Sequence, residues 1–242
     1  MEPHPDISQL AQASESAYST IDTVPRDYNK VNELSSADIS TFKHNVHNNY
    51  LIAHRGTDLA SETKSKQINA DLGILLGNRD QNKLHKKRTR ETEKIIREIK
   101  KTDPEHKVYL TGHSLGGSTA HHAMVKNPYV RDNVTQLHTF NAASSPLQSK
   151  GLSPRHKGYA TIEQKSTHHR ISGDEISASV KSNLIGTHKT YKNKQQPSIA
   201  QRVLNMTAPI LKSSPLGALA HFAASKIADT LSAHSLDHFI KK

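Results

Sequence analysis

Residues 109–119 read YLTGHSLGGST. An apolar β-type run ends at Gly112, and a helix-compatible run, SLGGSTAHHAMVKN (114–127), follows at once and stops near Asn127-Pro128. Three of the chain's 11 glycines fall within this one short turn around Ser114. Where a strand turns sharply into a helix, the apex residue is held in a strained conformation, and side chains two positions to either side would collide with each other and with the sheet. Small residues at 112 and 116 relieve that crowding. They leave the Ser114 hydroxyl exposed and put the Leu115 N–H at a helix N-terminus, where developing negative charge is favoured. Ser114 is thus a candidate nucleophile. A serine hydroxyl at its ordinary pKa attacks poorly, so it needs a base, and that base needs an orienting acid.

Outward from the turn, HKVYLTGH (106–113) reads as a strand, and so does YLIAHRGTD (50–58), which would deliver Arg55, Gly56 and Thr57 to a sheet edge. Residues 82–101, NKLHKKRTRETEKIIREIKK, have a charged helical pattern with Leu84, Ile95, Ile96 and Ile99 as a short apolar face and Asp103-Pro104 as a stop. VTQLHTFNAASSP (134–146) is a further strand and its turn, HHRISGDEIS (168–177) another strand end, and GTHKTY (186–191) the next strand. Strands alternating with helices predict an α/β fold, a mostly parallel sheet flanked by helices. An N-terminal helix over 6–22 would present Ile7, Leu10, Ala11, Tyr18 and Ile21 to the body. The polar stretch 145–165 reads as an excursion loop. From Pro197 the chain becomes rich in Ala, Leu and Ser, broken by Pro209 and Pro215, and 197–233 reads as a helical C-terminal excursion of a single domain spanning 1–242.

Composition bounds the chemistry. The chain has no cysteine, which excludes disulfides, thiolate metal sites and a cysteine nucleophile. Its 33 Lys and Arg against 22 Asp and Glu give a formal +11, a surface suited to anionic membranes, nucleic acid or acidic proteins. The N-terminus lacks the basic and apolar regions of a secretory signal, and no window reaches the roughly 18 apolar residues of a membrane span. The chain is expected to be soluble, cytoplasmic or virion-associated. His121-His122 and His168-His169 are adjacent pairs whose side chains diverge, and there is no HExxH, so neither a metal nor a cofactor is expected.

YLIAHRGTD, INADL (68–72), VYLTGHSLGGSTA (108–120), HTFNAASSP (138–146) and RISGDEIS (170–177) occur in the order and at about the spacing of the class 3 lipase family of α/β-hydrolases, which the chain resembles over roughly 45–180. The resemblance implies Ser114 as nucleophile, Asp174 as orienting acid, with Glu175 its neighbour, and Thr57 and Leu115 as backbone donors to an oxyanion. It also implies a histidine beyond Asp174, in the chain order Ser, Asp, His. Of His188, His221, His234 and His238, His234 is expected as the base, because it opens HSLDHF in a loop-like position near the end, and His238 is next. Two departures stand out. The stretch LASETKSKQ (59–67) is polar where secreted fungal members carry a hydrophobic lid, and Asn141 stands where many members have Gly. With HSLD, the second is similar to lipase-like proteins of some large or integrating DNA viruses.

The expected function is a serine carboxylester hydrolase acting on lipid esters, of triacylglycerol lipase or phospholipase type, with peripheral contact to an anionic membrane and nucleic-acid binding less favoured. Two rivals share the scaffold: a catalytically silent binding or structural protein that uses its basic surface, and a hydrolase of non-lipid esters or peptides.

Overall fold

The computed structural model describes residues 4–18, 23–56, 79–142, 154, 157–174, 184–193 and 235–240. Seven strands form one sheet in chain order: β1 (Tyr28–Lys30), β2 (Ile39–His44), β3 (Asn49–His54), β4 (Lys107–His113), β5 (Val134–Phe140), β6 (Ser166–Ile171) and β7 (Thr187–Tyr191). β1, β2 and β3 are antiparallel neighbours, and from β3 to β7 every pairing is parallel. Parallel neighbours need crossovers. Those described are α2 (Arg79–Thr102) before β4, α3 (Leu115–Lys126) and α4 (Pro128–Asn133) before β5, and α5 (Lys157–Lys165) before β6. The α/β expectation holds.

Alternation along each strand divides the interior in two. Ile52, Val108, Leu110 and Leu137 face the crossover helices and meet Ile95, Ile96 and Ile99 of α2, Ala120, Ala123 and Met124 of α3, and Ile162 of α5. Leu51, Ala53, Tyr109, Phe140 and Ile171 face the other way, where Leu10, Ala11 and Ala13 of α1 (Ile7–Ser16) and Leu236 and Phe239 of the C-terminal segment cover them.

α1 starts at a reciprocal cap: the Asp6 carboxylate accepts the Gln9 N–H at 2.8 Å and the Gln9 side chain accepts the Asp6 N–H at 2.9 Å. The helix and the residues just before and after it run alongside β4, partnering every second residue. His4 meets the Tyr109 hydroxyl at 2.6 Å, Ser14 the Thr111 hydroxyl at 2.8 Å, and the Tyr18 hydroxyl meets His113 Nδ1 at 2.7 Å. α1 ends at Ser16, short of the expected 22, and 19–22 lie outside the described residues.

Two expectations need correcting. The loop expected over 145–165 contains α5, whose Ile162 is fully buried with Tyr159 packed against the same core. The expected face of α2 holds at Ile95, Ile96 and Ile99 but not at Leu84. Leu84 is only half-buried, and the stripe turned inward is His85, Arg88, Thr89 and Thr92 followed by Ile95, Ile96 and Ile99. Its N-terminal half is polar because it meets polar partners: His54 is hydrogen-bonded to Thr92 at 2.8 Å and to Thr119 of α3 at 2.9 Å, and Arg88 pairs with Asp38 at 3.2 Å. The helical excursion expected over 197–233 lies outside the described residues, and no described helix is long and apolar enough to cross a membrane.

Candidate active site

Ser114 joins β4 to α3 with φ 54° and ψ −124°, a left-handed conformation that a side-chain-bearing residue rarely adopts. Its N–H donates to Phe140 O at the end of β5 (3.0 Å), and its carbonyl accepts the Ser118 N–H (3.1 Å), the first turn of the helix. The hydroxyl is not used to cap that helix.

The flanking glycines are required by contact. A Cβ on Gly112 would lie 2.4 Å from the Gly116 carbonyl carbon, and one on Gly116 would lie 2.2 Å from the His54 carbonyl oxygen of β3. Both expected collisions, with each other and with the sheet, are present. The elbow is more recessed than expected, with 6% of Ser114 exposed. Leu115 is the first residue of α3, so its N–H is among those that a helix leaves without an intrahelical partner.

Asp174 lies three residues past β6, in a turn where Gly173 takes φ 90° and the Asp174 N–H donates to Ile171 O at 3.2 Å. It is fully buried. Because β4, β5 and β6 are parallel neighbours, Ser114 and Asp174 leave the same edge of the sheet, two strand spacings or about 10 Å apart. Ligands of open α/β sheets bind outside this carboxyl edge. Between the two stands Asn141, also left-handed at φ 45° and fully buried.

The C-terminal segment returns to this edge. Ser235 starts a 3-10 turn over Leu236–His238, and the Phe239 ring packs on Phe140 (4.9 Å between centroids) and Tyr191 (5.5 Å). His238 sits half-buried in that turn. His188 is placed elsewhere: it lies in β7, hydrogen-bonded to Leu184 O at 3.0 Å and 5.0 Å from the His168 ring. Thr57, Glu175, His221 and His234 lie outside the described residues. Of the expected site residues, the described structure brings Ser114, Leu115 and Asp174 to one edge of the sheet.

Next to the site lies a chain of neutral imidazoles. His138 Nδ1 and His169 Nε2 are 3.0 Å apart, His169 Nδ1 and the Tyr191 hydroxyl 2.9 Å, and His138 Nε2 and Gln136 Oε1 3.2 Å. One tautomer set satisfies all three: Tyr191 donates to His169, His169 to His138, and His138 to Gln136. Burial holds His169 down to about 3 and His138 to about 4, with the Lys189 charge adding to both.

Sequence reasoning missed Asn141's hydrogen bonding and the Tyr18 hydroxyl on His113. Their only sequence signals were a polar residue at a strand end and an aromatic at a helix end.

The family model of class 3 lipases matches residues 30–146, a segment that runs from β1 through β5 and contains the Ser114 elbow. No curated protein matches the chain. Over residues 30–146, and in its mostly parallel sheet flanked by helices, the chain is similar to the class 3 lipases, a family of α/β-hydrolases that act on lipid esters.

Proposed function

We propose that the chain hydrolyses lipid carboxylesters through an acyl-enzyme on Ser114, with Asp174 as orienting acid and His234 as base. The observation that carries this reading is the Ser114 backbone, φ 54° and ψ −124°, held at a strand-to-helix turn by two glycines with no room for a side chain. That strain costs folding energy and is retained where a hydroxyl must be presented.

In the proposed reaction the base takes the Ser114 proton as Oγ bonds to the ester carbonyl carbon. The tetrahedral oxyanion sits against the N–H groups of Leu115 and Thr57, and the alcohol leaves with the proton returned by the base. Water, deprotonated by the same base, then bonds to the acyl carbon and releases the fatty acid and Ser114. The buried Asp174 carboxylate is suited to holding the imidazole in one tautomer and stabilising its protonated form. The C-terminal turn packed on Phe140 supports a base from that segment: His234 adjoins Ser235, and His238 is the alternative.

On the flank of the fold, exposed Lys83, Lys86, Lys87, Arg90 and Lys94 of α2, with Glu91, line an open cleft of about 520 Å³. Such a row of cations suits the anionic phospholipid surface on which lipid esters are met.

The deciding experiment compares wild type with Ser114→Ala for turnover of a chromogenic acyl ester and for labelling by a fluorophosphonate. Wild type is expected to turn over and label, and Ser114→Ala to do neither. Equal turnover by both, or an unlabelled wild type, refutes the reading.

A further inference from the structure

Asn141 does something that neither the elbow nor the acid turn explains. In a parallel ladder a residue donates its N–H to one residue of the neighbouring strand and accepts, with its own carbonyl, the N–H two residues further on. Asn141 makes the first bond with its backbone, its N–H donating to His169 O at 2.8 Å. The second bond comes from its side chain: Oδ1 accepts the Ile171 N–H at 3.0 Å. With φ at 45° the backbone has already turned out of the strand, and the amide oxygen takes the place in the ladder that a carbonyl would fill. Asn141 and Ile171 are 0% and 1% exposed, so water does not offer that N–H a substitute.

The neighbours of this bond give it a role. The preceding residue, Phe140, accepts the Ser114 N–H with its carbonyl, and the residue that Asn141 holds, Ile171, accepts the Asp174 N–H. One dipeptide, Phe140-Asn141, therefore fixes the nucleophile's elbow with one oxygen and the root of the acid's turn with the next. We infer that Asn141 is a positioning residue that registers Asp174 against Ser114 by serving, through its side chain, as the last rung between β5 and β6. The inference rests on the triad reading above.

Asn141→Gly tests it, because glycine accepts the left-handed backbone and removes the side-chain acceptor. The protein is expected to fold, with faster exchange of the Ile171 amide measured by NMR. Its kcat on the acyl ester should fall at least about tenfold with KM within about twofold, as for a misplaced catalytic group. In an Asp174→Asn background the same substitution should cost less than about twofold, since two changes acting through one group are not additive. A merely structural effect would be equal in both backgrounds, and that result overturns the inference, as does an Asn141→Gly enzyme with wild-type kcat. Should Asn141→Gly not fold, Asn141→Asp keeps an acceptor and should retain kcat within about fivefold, because the rung is preserved. A folded Asn141→Asp that loses more than that overturns the inference. The two levels separate cleanly: full turnover by Asp174→Asn removes the acid assignment and this inference together, whereas an inactive Asp174→Asn with an unaffected Asn141→Gly removes only the inference.

Discussion

Lowering the pH from 7.5 to 5.5 should strip this protein of several kcal/mol of stability, and its histidines set the scale. Burial, the largest cause in each case, holds His85, His168 and His169 down to about 3 and His122 and His138 to about 4, with neighbouring cations or histidines adding to it. His54 and His121, wholly buried, are also pushed well below the ordinary value. For a base whose folded pKa is depressed, the unfolded chain binds the extra proton, so stability is complete above the ordinary histidine value of about 6.5 and is lost as pH falls below it. At pH 5.5 each of the five is about ten to one protonated when unfolded and neutral when folded, a loss of about 1 kcal/mol apiece and about 5 to 7 kcal/mol together. The whole stability of a domain is about 5–15 kcal/mol. Carboxylates act in a different window. Asp38, for example, whose burial is outweighed by hydrogen bonds and charges from Lys87 and Arg88, has a lowered pKa and gives up stability only at more acid pH. Urea unfolding followed by circular dichroism at half-unit steps between pH 7.5 and 5.5 measures the slope. A change below about 1 kcal/mol over that range would refute the assignment of these imidazoles as neutral and buried.

Gly116→Ala is expected to lower stability by about 1–3 kcal/mol, read from the thermal midpoint, because its Cβ would drive into the His54 carbonyl and the backbone on both sides would have to move. A midpoint equal to wild type would contradict the close approach. The row of cations on α2 predicts sedimentation with vesicles containing phosphatidylserine and not with phosphatidylcholine alone. Each charge near such a surface contributes about 1 kcal/mol, so Lys86→Glu with Arg90→Glu should weaken binding at least about tenfold, and unaltered binding would assign the docking face elsewhere.

How well the sequence could be read depended on whether apolar residues carried the burial. The β4 turn and α3 were legible because the glycine spacing at 112 and 116 has one geometric cause, and the end of β6 because Ser172-Gly173 signal a turn; the role of Asp174 came from the family resemblance and not from the pattern. β2 was not read. Only Ile39 and Phe42 are apolar in its buried stretch, while Thr41 is buried through its hydrogen bonds to Leu34 O and the Ser35 hydroxyl, at 2.7 and 2.9 Å. α5 was read as loop for a similar reason. Its second residue is glycine, which looks like a breaker, yet a Cβ there would lie 2.7 Å from the Arg131 guanidinium carbon, so the residue answers to packing. The rung formed by Asn141 was beyond pattern reading, because a polar residue after a strand suggests a turn and says nothing of which N–H its oxygen will receive.

The strand order carries a consequence for how the molecule is made. From β3 onward, each described strand pairs with the one synthesised just before it, so none must be threaded between two that have already joined. The sheet can lengthen at a single growing edge, in step with translation, and the crossover helices can be laid down on one side as it does so. Long-range parallel pairing is slow and leaves strand edges open to aggregation, and growth at one edge keeps few of them open at a time.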